Sequence, residues 1–303
     1  MDMKIFSSML LVSTTLLTAC NDATVQQWLN PDKDAKMFDQ PQIDGVNQTT
    51  EKMAIEATNN GDYKRAGEFY TQLADTKKGT VDEQFRYKLG VAESARRLSA
   101  NEAALDMYQQ LIKERPNDLD TMEGYGLTLM ANGRVADAGR EFADVIARDP
   151  HRWRSLNALG ILFVTKNMIP EAMAYYTEGL KQSPDNPAIL NNVGLSQAVD
   201  KNYARAFEAF EQGLRVSKTD AQRKRISLNM AMVYAISGDL DTARQVASKY
   251  LEGAALDNNM GLYAHLAKDD GLAKTYLDMA LTDSEVYYQR AWENRDVIDH
   301  TAQ

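Results

Sequence analysis

The chain has 303 residues, with 43 acidic and 34 basic side chains, a net charge of −9 and one cysteine. Net acidity excludes a surface of excess positive charge, so nucleic acid is not an expected partner. One cysteine excludes a disulfide framework, and a chain of this length can build its own core without one.

In chain order, Lys4 is followed by an apolar run from Ile5 to Leu16, interrupted only by Ser and Thr, and then by Leu17-Thr18-Ala19-Cys20. A charged start, an apolar middle and a small-residue cleavage site form a signal segment, too short and too often interrupted to span a bilayer comfortably. With the cysteine at the cut, it resembles a bacterial lipoprotein signal. That resemblance implies removal of residues 1–19, acylation of the Cys20 thiol and anchoring through two or three acyl chains, enough for stable attachment. Asn21 rather than Asp in the next position favours the outer membrane. Residues 20–48 are rich in Asn, Asp, Gln, Lys and Pro, the composition of a polar tether. Trp28, Leu29 and Phe38 are its apolar exceptions.

From residue 49 onward a small pattern recurs. Gly126, Gly160 and Gly194 step by 34, as do Ala138, Ala172 and Ala206, and Pro150 and Pro184. In each copy a first helix (A) carries the glycine, which lets a neighbouring helix approach. A short turn follows, and a second helix (B) carries the alanine at the A–B contact. An aromatic four residues later, Phe142, Tyr176 or Phe210, lies on the same helical face. Proline closes helix B because it cannot continue the hydrogen-bond ladder. Weaker copies are marked by Ala66 and Tyr70, by Ala104, Tyr108 and Pro116, by Tyr234, Gly238 and Ala243, and by Gly261, Ala273 and Leu277. The second copy is read with a longer A–B turn around Leu98 to Asn101, the sixth with a longer approach at Val216 to Arg223, and the seventh as shortened. A period of 34 with these markers resembles the tetratricopeptide repeat. The expected fold is all-α, a right-handed superhelix of about seven repeats over residues 49–297 with one C-terminal helix, leaving 298–303 as a disordered tail.

Nothing in the sequence forms a catalytic constellation. His151, His265 and His300 lack metal-ligand spacing, and no phosphate loop or activated nucleophile is present. Neither a cofactor nor a metal is expected, and the chain reads as a non-enzyme. In tetratricopeptide-repeat proteins the A helices line the peptide-binding face. With the motif glycine counted as position 8, position 5 of repeats three to seven reads Glu123, Asn157, Asn191, Leu228 and Asn258. Position 6 reads Gly124, Ala158, Asn192, Asn229 and Asn259, and position 9 reads Leu127, Ile161, Leu195, Met232 and Leu262. Amides both donate and accept, so such a ladder suits the backbone of an extended partner. Arg154 and Arg225, at position 2, suit a carboxylate.

The stretches Asn191-Asn192-Val193-Gly194-Leu195, Leu228-Asn229-Met230-Ala231 and Ser237-Gly238-Asp239-Leu240, together with the signal, resemble the TadD lipoproteins of tight-adherence (Flp) pilus loci over about residues 120–250. The resemblance implies a scaffold that binds protein partners of a pilus or secretion machine, including the outer-membrane secretin. A pilotin of type IV pili and an NlpI-like adaptor for peptidoglycan hydrolases share the same scaffold and remain alternatives.

Overall fold

The computed structural model describes residues 48–283 and 289–301. The signal segment, Cys20, the tether up to residue 47, Tyr287, Tyr288 and residues 302–303 lie outside the described residues. Those described form fifteen α-helices and no strand. Seven A–B pairs follow one another: α1 (Gln48–Asn59) and α2 (Tyr63–Asp75), α3 (Val81–Arg97) and α4 (Asn101–Glu114), α5 (Leu119–Ala131) and α6 (Val135–Arg148), α7 (Trp153–Thr165) and α8 (Ile169–Gln182), α9 (Pro187–Val199) and α10 (Tyr203–Val216), α11 (Asp220–Ile236) and α12 (Leu240–Ala247), α13 (Gly253–Leu266) and α14 (Asp270–Thr282). A final helix, α15 (Gln289–Thr301), follows. The fold is an all-α solenoid of helix pairs. Two compact units divide it, one ending at Leu162 and one starting at Phe163.

The helices begin where side chains can satisfy their free amide groups. Asp62, Asp118, Asn186, Asp239 and Asp269 accept from backbone N–H groups of the first turn. Thr80 with Glu83, and Thr219 with Gln222, form reciprocal capping boxes at the starts of α3 and α11.

All seven A–B turns close in the same way. Gly61, Ser99, Gly133, Asn167, Lys201, Gly238 and Lys268 each adopt the left-handed conformation, with φ between +57° and +100°. In the first repeat Gly61 donates to the Thr58 carbonyl at 3.0 Å and Asp62 to that of Ala57 at 2.9 Å. In the fifth, Lys201 donates to Ala198 at 3.0 Å and Asn202 to Gln197 at 2.8 Å. These paired bonds are the Schellman ending, which satisfies the last carbonyls of helix A and turns the chain into helix B. Four of the seven turns adopt it without glycine, so the motif is only half visible as Gly in the sequence.

Four boundaries differ from the sequence reading. The second A–B turn has the common length, because Ser99 precedes Ala104 by the same five residues that separate Gly133 from Ala138. The extra residues of that repeat lie before it, in the connection 76–80 and in an added turn of α3. The residues after Val216 extend helix α11 to 17 residues rather than lengthening the loop, because Thr219 caps it early. The shortening lies in α12, which has only 8 residues, whereas α13 and α14 have 14 and 13. Finally, helix α15 runs past residue 297 to Thr301, since Ile298 is buried with Ala264, Ala273, Leu277, Ala280 and Ala291.

Glycine permits the close approach read from the repeat. A Cβ on Gly126 would lie 2.7 Å from the Phe142 ring, and one on Gly194 would lie 2.6 Å from Phe210. Position 6 does the same for the preceding repeat, where Tyr108 covers Gly124. Ala138 and Ala206 are fully buried, as the small residue of the A–B contact must be.

Candidate protein-binding face

Several polar side chains of the A helices form buried joints between successive repeats. In the first unit, position 5 of α1 is Glu51, which is buried and accepts from the Tyr87 hydroxyl of α3 at 3.0 Å, with Arg86 at 3.6 Å. Position 5 of α5 is Glu123, also buried. One of its oxygens accepts from the Ser155 amide at 3.1 Å and hydroxyl at 2.7 Å, both at the start of α7. Burial pushes the Glu123 carboxyl above its ordinary value, against the pull of Arg154, 3.8 Å away, and of the Ser155 bond.

A third carboxylate, Glu93 at position 9 of α3, shows the opposite balance. Burial alone would raise it, but the Arg96 and Arg97 guanidiniums overcome that and hold it well below the usual carboxylate range. Arg96 Nε donates to Glu93 at 2.7 Å, Arg97 Nε at 2.8 Å and the Tyr108 hydroxyl at 2.8 Å. This cluster ties α3 to α4 rather than facing solvent.

In the second unit the joints between one A helix and the next include neutral groups. Asn229 of α11 donates its side-chain amide to Asn191 of α9 at 2.8 Å. Tyr263 of α13 donates to the Leu228 carbonyl of α11 at 2.9 Å. Asn294 of α15 donates to Asn258 of α13 at 2.9 Å. Each A helix of this unit from α9 onward is thus bonded to the next by at least one polar contact, which offsets the desolvation penalty of the buried polar groups that make it.

The predicted ladder is therefore placed mostly inside the helix packing. Asn157, Asn191, Asn192, Asn229 and Asn258 are all buried, at 7 % exposure or less. Asn259 is half-buried and donates to the Ala255 carbonyl of its own helix at 2.9 Å. Arg225 is buried. Arg154 is half-buried, above the Trp153 ring at 5.0 Å. In the position 9 row Ile161 and Leu262 are half-buried, while Leu127, Leu195 and Met232 are buried.

Sequence reading missed Glu51, Tyr87, Ser155 and Asn294 as joint residues. A signal was available: the joints link residues 36, 32, 38, 35 and 36 apart, each close to one repeat period. His265 Nδ1 lies 2.6 Å from Asp270, and among the described residues no group of three potential metal ligands occurs. No described helix is long and apolar enough to cross a membrane.

The tetratricopeptide repeat family profile matches residues 89–152, 124–187 and 157–221. Among curated proteins the chain is 24 % identical over 176 residues to the BBSome complex member BBS4 of Bos taurus, matching 57 % of this chain and 33 % of that one. The chain spans a third or less of the length of the curated relatives it matches. A tetratricopeptide repeat protein from Parabacteroides merdae has a similar structure, with a TM-score of 0.58 at 13 % identity, over 84 % of this chain and 98 % of that one. Pseudomonas aeruginosa pilF is similar too, with a TM-score of 0.52 at 18 % identity, over 71 % of this chain and 98 % of that one. At these identities the likeness concerns the fold.

Proposed function

We propose that this chain, a tetratricopeptide-repeat protein by its repeats and its fold, is a non-enzymatic scaffold for protein partners, held at a bacterial membrane through acylated Cys20. The observation that carries the scaffold reading is the succession of seven helix pairs, in each unit of which buried polar side chains bond one A helix to the next. Their chemistry is spent on holding repeats together, which leaves recognition as the work of the surface. The Cys20 signal supports placement at the periplasmic face of a membrane, the outer one by the Asn21 criterion, and the tether supports reach. Residues 20 to 48 can extend up to about 90 Å at ~3.3 Å per residue, enough to meet a partner away from the lipid.

The partner machine we infer is the assembly apparatus of a tight-adherence (Flp) pilus, with the outer-membrane secretin as a component the scaffold assists. The support is the sequence likeness over residues 120–250 together with the lipoprotein signal. The test is crosslinking in native membranes followed by affinity purification and identification of the captured proteins. Capture of a secretin supports the reading. Capture of a peptidoglycan hydrolase without secretin replaces it with the adaptor reading. Cys20→Ser is expected to abolish labelling by a radioactive fatty acid, and a mutant still labelled would sink the anchor.

A further inference from the structure

The chain contains two Asn-Gly pairs, Asn60-Gly61 and Asn132-Gly133, and both sit in A–B turns. This dipeptide is chemically special because glycine has no side chain to obstruct its own nitrogen. That nitrogen can attack the neighbouring side-chain amide. The two pairs have the same local geometry. Gly61 and Gly133 both have φ of +73°, and their N–H groups donate to Thr58 at 3.0 Å and to Met130 at 3.1 Å. They differ in what holds the asparagine. The Asn132 side-chain amide donates to Glu102 of the preceding repeat at 2.9 Å. Asn60 is exposed, and no described residue bonds its side chain. Its turn also belongs to the first helix pair, with no described helix before α1, whereas Asn132 lies in an interior repeat. Terminal elements open at lower free energy than interior ones.

We infer that Asn60 is a site of spontaneous deamidation, and that Asn132 is protected from the same reaction by Glu102 and by its place inside the array. When the turn opens, the Gly61 nitrogen gives its proton to solvent and attacks Asn60 Cγ. The new nitrogen–carbon bond closes a five-membered imide as the Cγ–Nδ2 bond breaks, and the leaving amide takes up a proton and departs as ammonia. Water then opens the imide at either carbonyl, giving aspartate or an isoaspartyl linkage. The net change is asparagine plus water to an acid plus ammonia, with no oxidant or cofactor. The isoaspartyl product lengthens the backbone within the turn, so the Gly61–Thr58 and Asp62–Ala57 bonds are lost. It also places a carboxylate at the C-terminal end of α1, where the helix dipole disfavours it. Helix α1, which carries the Glu51 joint to α3, then detaches more easily.

The experiment is a time course on the purified full chain in mildly alkaline buffer, followed by peptide mapping with mass spectrometry that separates aspartyl from isoaspartyl products. In the native protein Asn60 is expected to convert faster than Asn132 by at least about fivefold, the factor that one net hydrogen bond supplies. In concentrated urea the two rates should become equal, since the local sequence chemistry is shared. Glu102→Ala should raise the native Asn132 rate towards that of Asn60. Equal or inverted native rates overturn the assignment of Asn60, and an Asn132 rate unmoved by Glu102→Ala overturns the protective role of that contact. Limited proteolysis should cut within residues 48–59 faster in aged than in fresh protein, while the other helix pairs are cut at unchanged rates, and an unchanged rate in that helix after conversion would refute the detachment.

Discussion

Three glycines separate three physical effects, and a single unfolding assay can rank them. Gly194→Ala adds a methyl group in the middle of α9, where relief from glycine's backbone entropy would stabilise by about 1 kcal/mol. The new Cβ would also lie 2.6, 2.7 and 2.8 Å from three carbons of the Phe210 ring, which is fully buried. The ring has no open side to move into, so the expected overpacking of about 1–3 kcal/mol outweighs the helix gain. The net prediction is destabilisation by up to about 2 kcal/mol. Gly139→Ala, in the interior of α6, is the control with room, since its Cβ would meet only Leu162 Cδ1 at 3.4 Å. It should stabilise by about 0.5–1 kcal/mol. Gly133→Ala has nothing within 4 Å but φ of +73°, so it should destabilise by about 1 kcal/mol through backbone strain alone. Urea unfolding followed by helical circular dichroism gives the ranking, with the slope checked for constancy because repeat arrays can lose two-state behaviour. If Gly194→Ala proves as stable as Gly139→Ala, the Phe210 ring is not rigidly seated and the packing reasoning fails. Adding Phe210→Leu to Gly194→Ala should recover part of the loss, the non-additivity expected of groups in contact.

Three further substitutions test other parts of the fold. Lys201→Gly replaces a non-glycine residue at φ +60° and should raise the urea midpoint, by up to about 1 kcal/mol of stability. Asn229→Ala removes the donor to buried Asn191 and should destabilise by about 1–3 kcal/mol, with an Asn191→Ala, Asn229→Ala pair less damaging than the sum of its parts. Glu123 is held above its ordinary value of 4.5 in the folded state, so its contribution to stability is fully present below that pH and is lost as pH rises through the raised value. Glu123→Gln should remove that decline when unfolding midpoints are compared from pH ~4 to ~8, and parallel profiles for the two proteins would contradict the burial argument.

The repeat pattern was legible because its markers are steric. Glycine, alanine and an aromatic at fixed spacing can pack in few ways, and Gly126, Ala138 and Phe142 pack as the spacing requires. The turns were less legible because the Schellman ending is a backbone property. Ser99, Asn167, Lys201 and Lys268 adopt it without any residue-specific signal, so the second repeat was read with an elongated turn. Helix lengths were misjudged where a cap decided them. Thr219 with Gln222 starts α11 a turn earlier than the apolar pattern suggests. The polar positions were the hardest to read. The sequence shows that Asn191 and Asn229 recur on A helices, but not whether a neighbouring helix or an outside partner takes their amides. Only the pairing one period apart reveals the first alternative.

That pairing changes how the binding role of the amide row must be tested. A partner that takes the Asn229 amide has to displace Asn191, which already accepts it at 2.8 Å. Exchanging one hydrogen bond for another yields little net free energy, so the exchange by itself is a weak source of affinity. Loss of partner capture in Asn229→Ala would therefore report a loosened joint between α9 and α11 as readily as a lost contact. Asn259 separates the two. It is half-buried on α13, and its amide donates only to the Ala255 carbonyl within the same helix, at 2.9 Å. That carbonyl belongs to the helical ladder, so removing the side chain leaves no orphaned group, and Asn259→Ala should change stability by less than about 0.5 kcal/mol. If the amide row contacts a partner, Asn259→Ala lowers capture from native membranes while the unfolding midpoint stays in place. If capture is unchanged in Asn259→Ala but falls in Asn229→Ala in step with the midpoint, the row serves the spacing of the repeats, and recognition lies on other side chains.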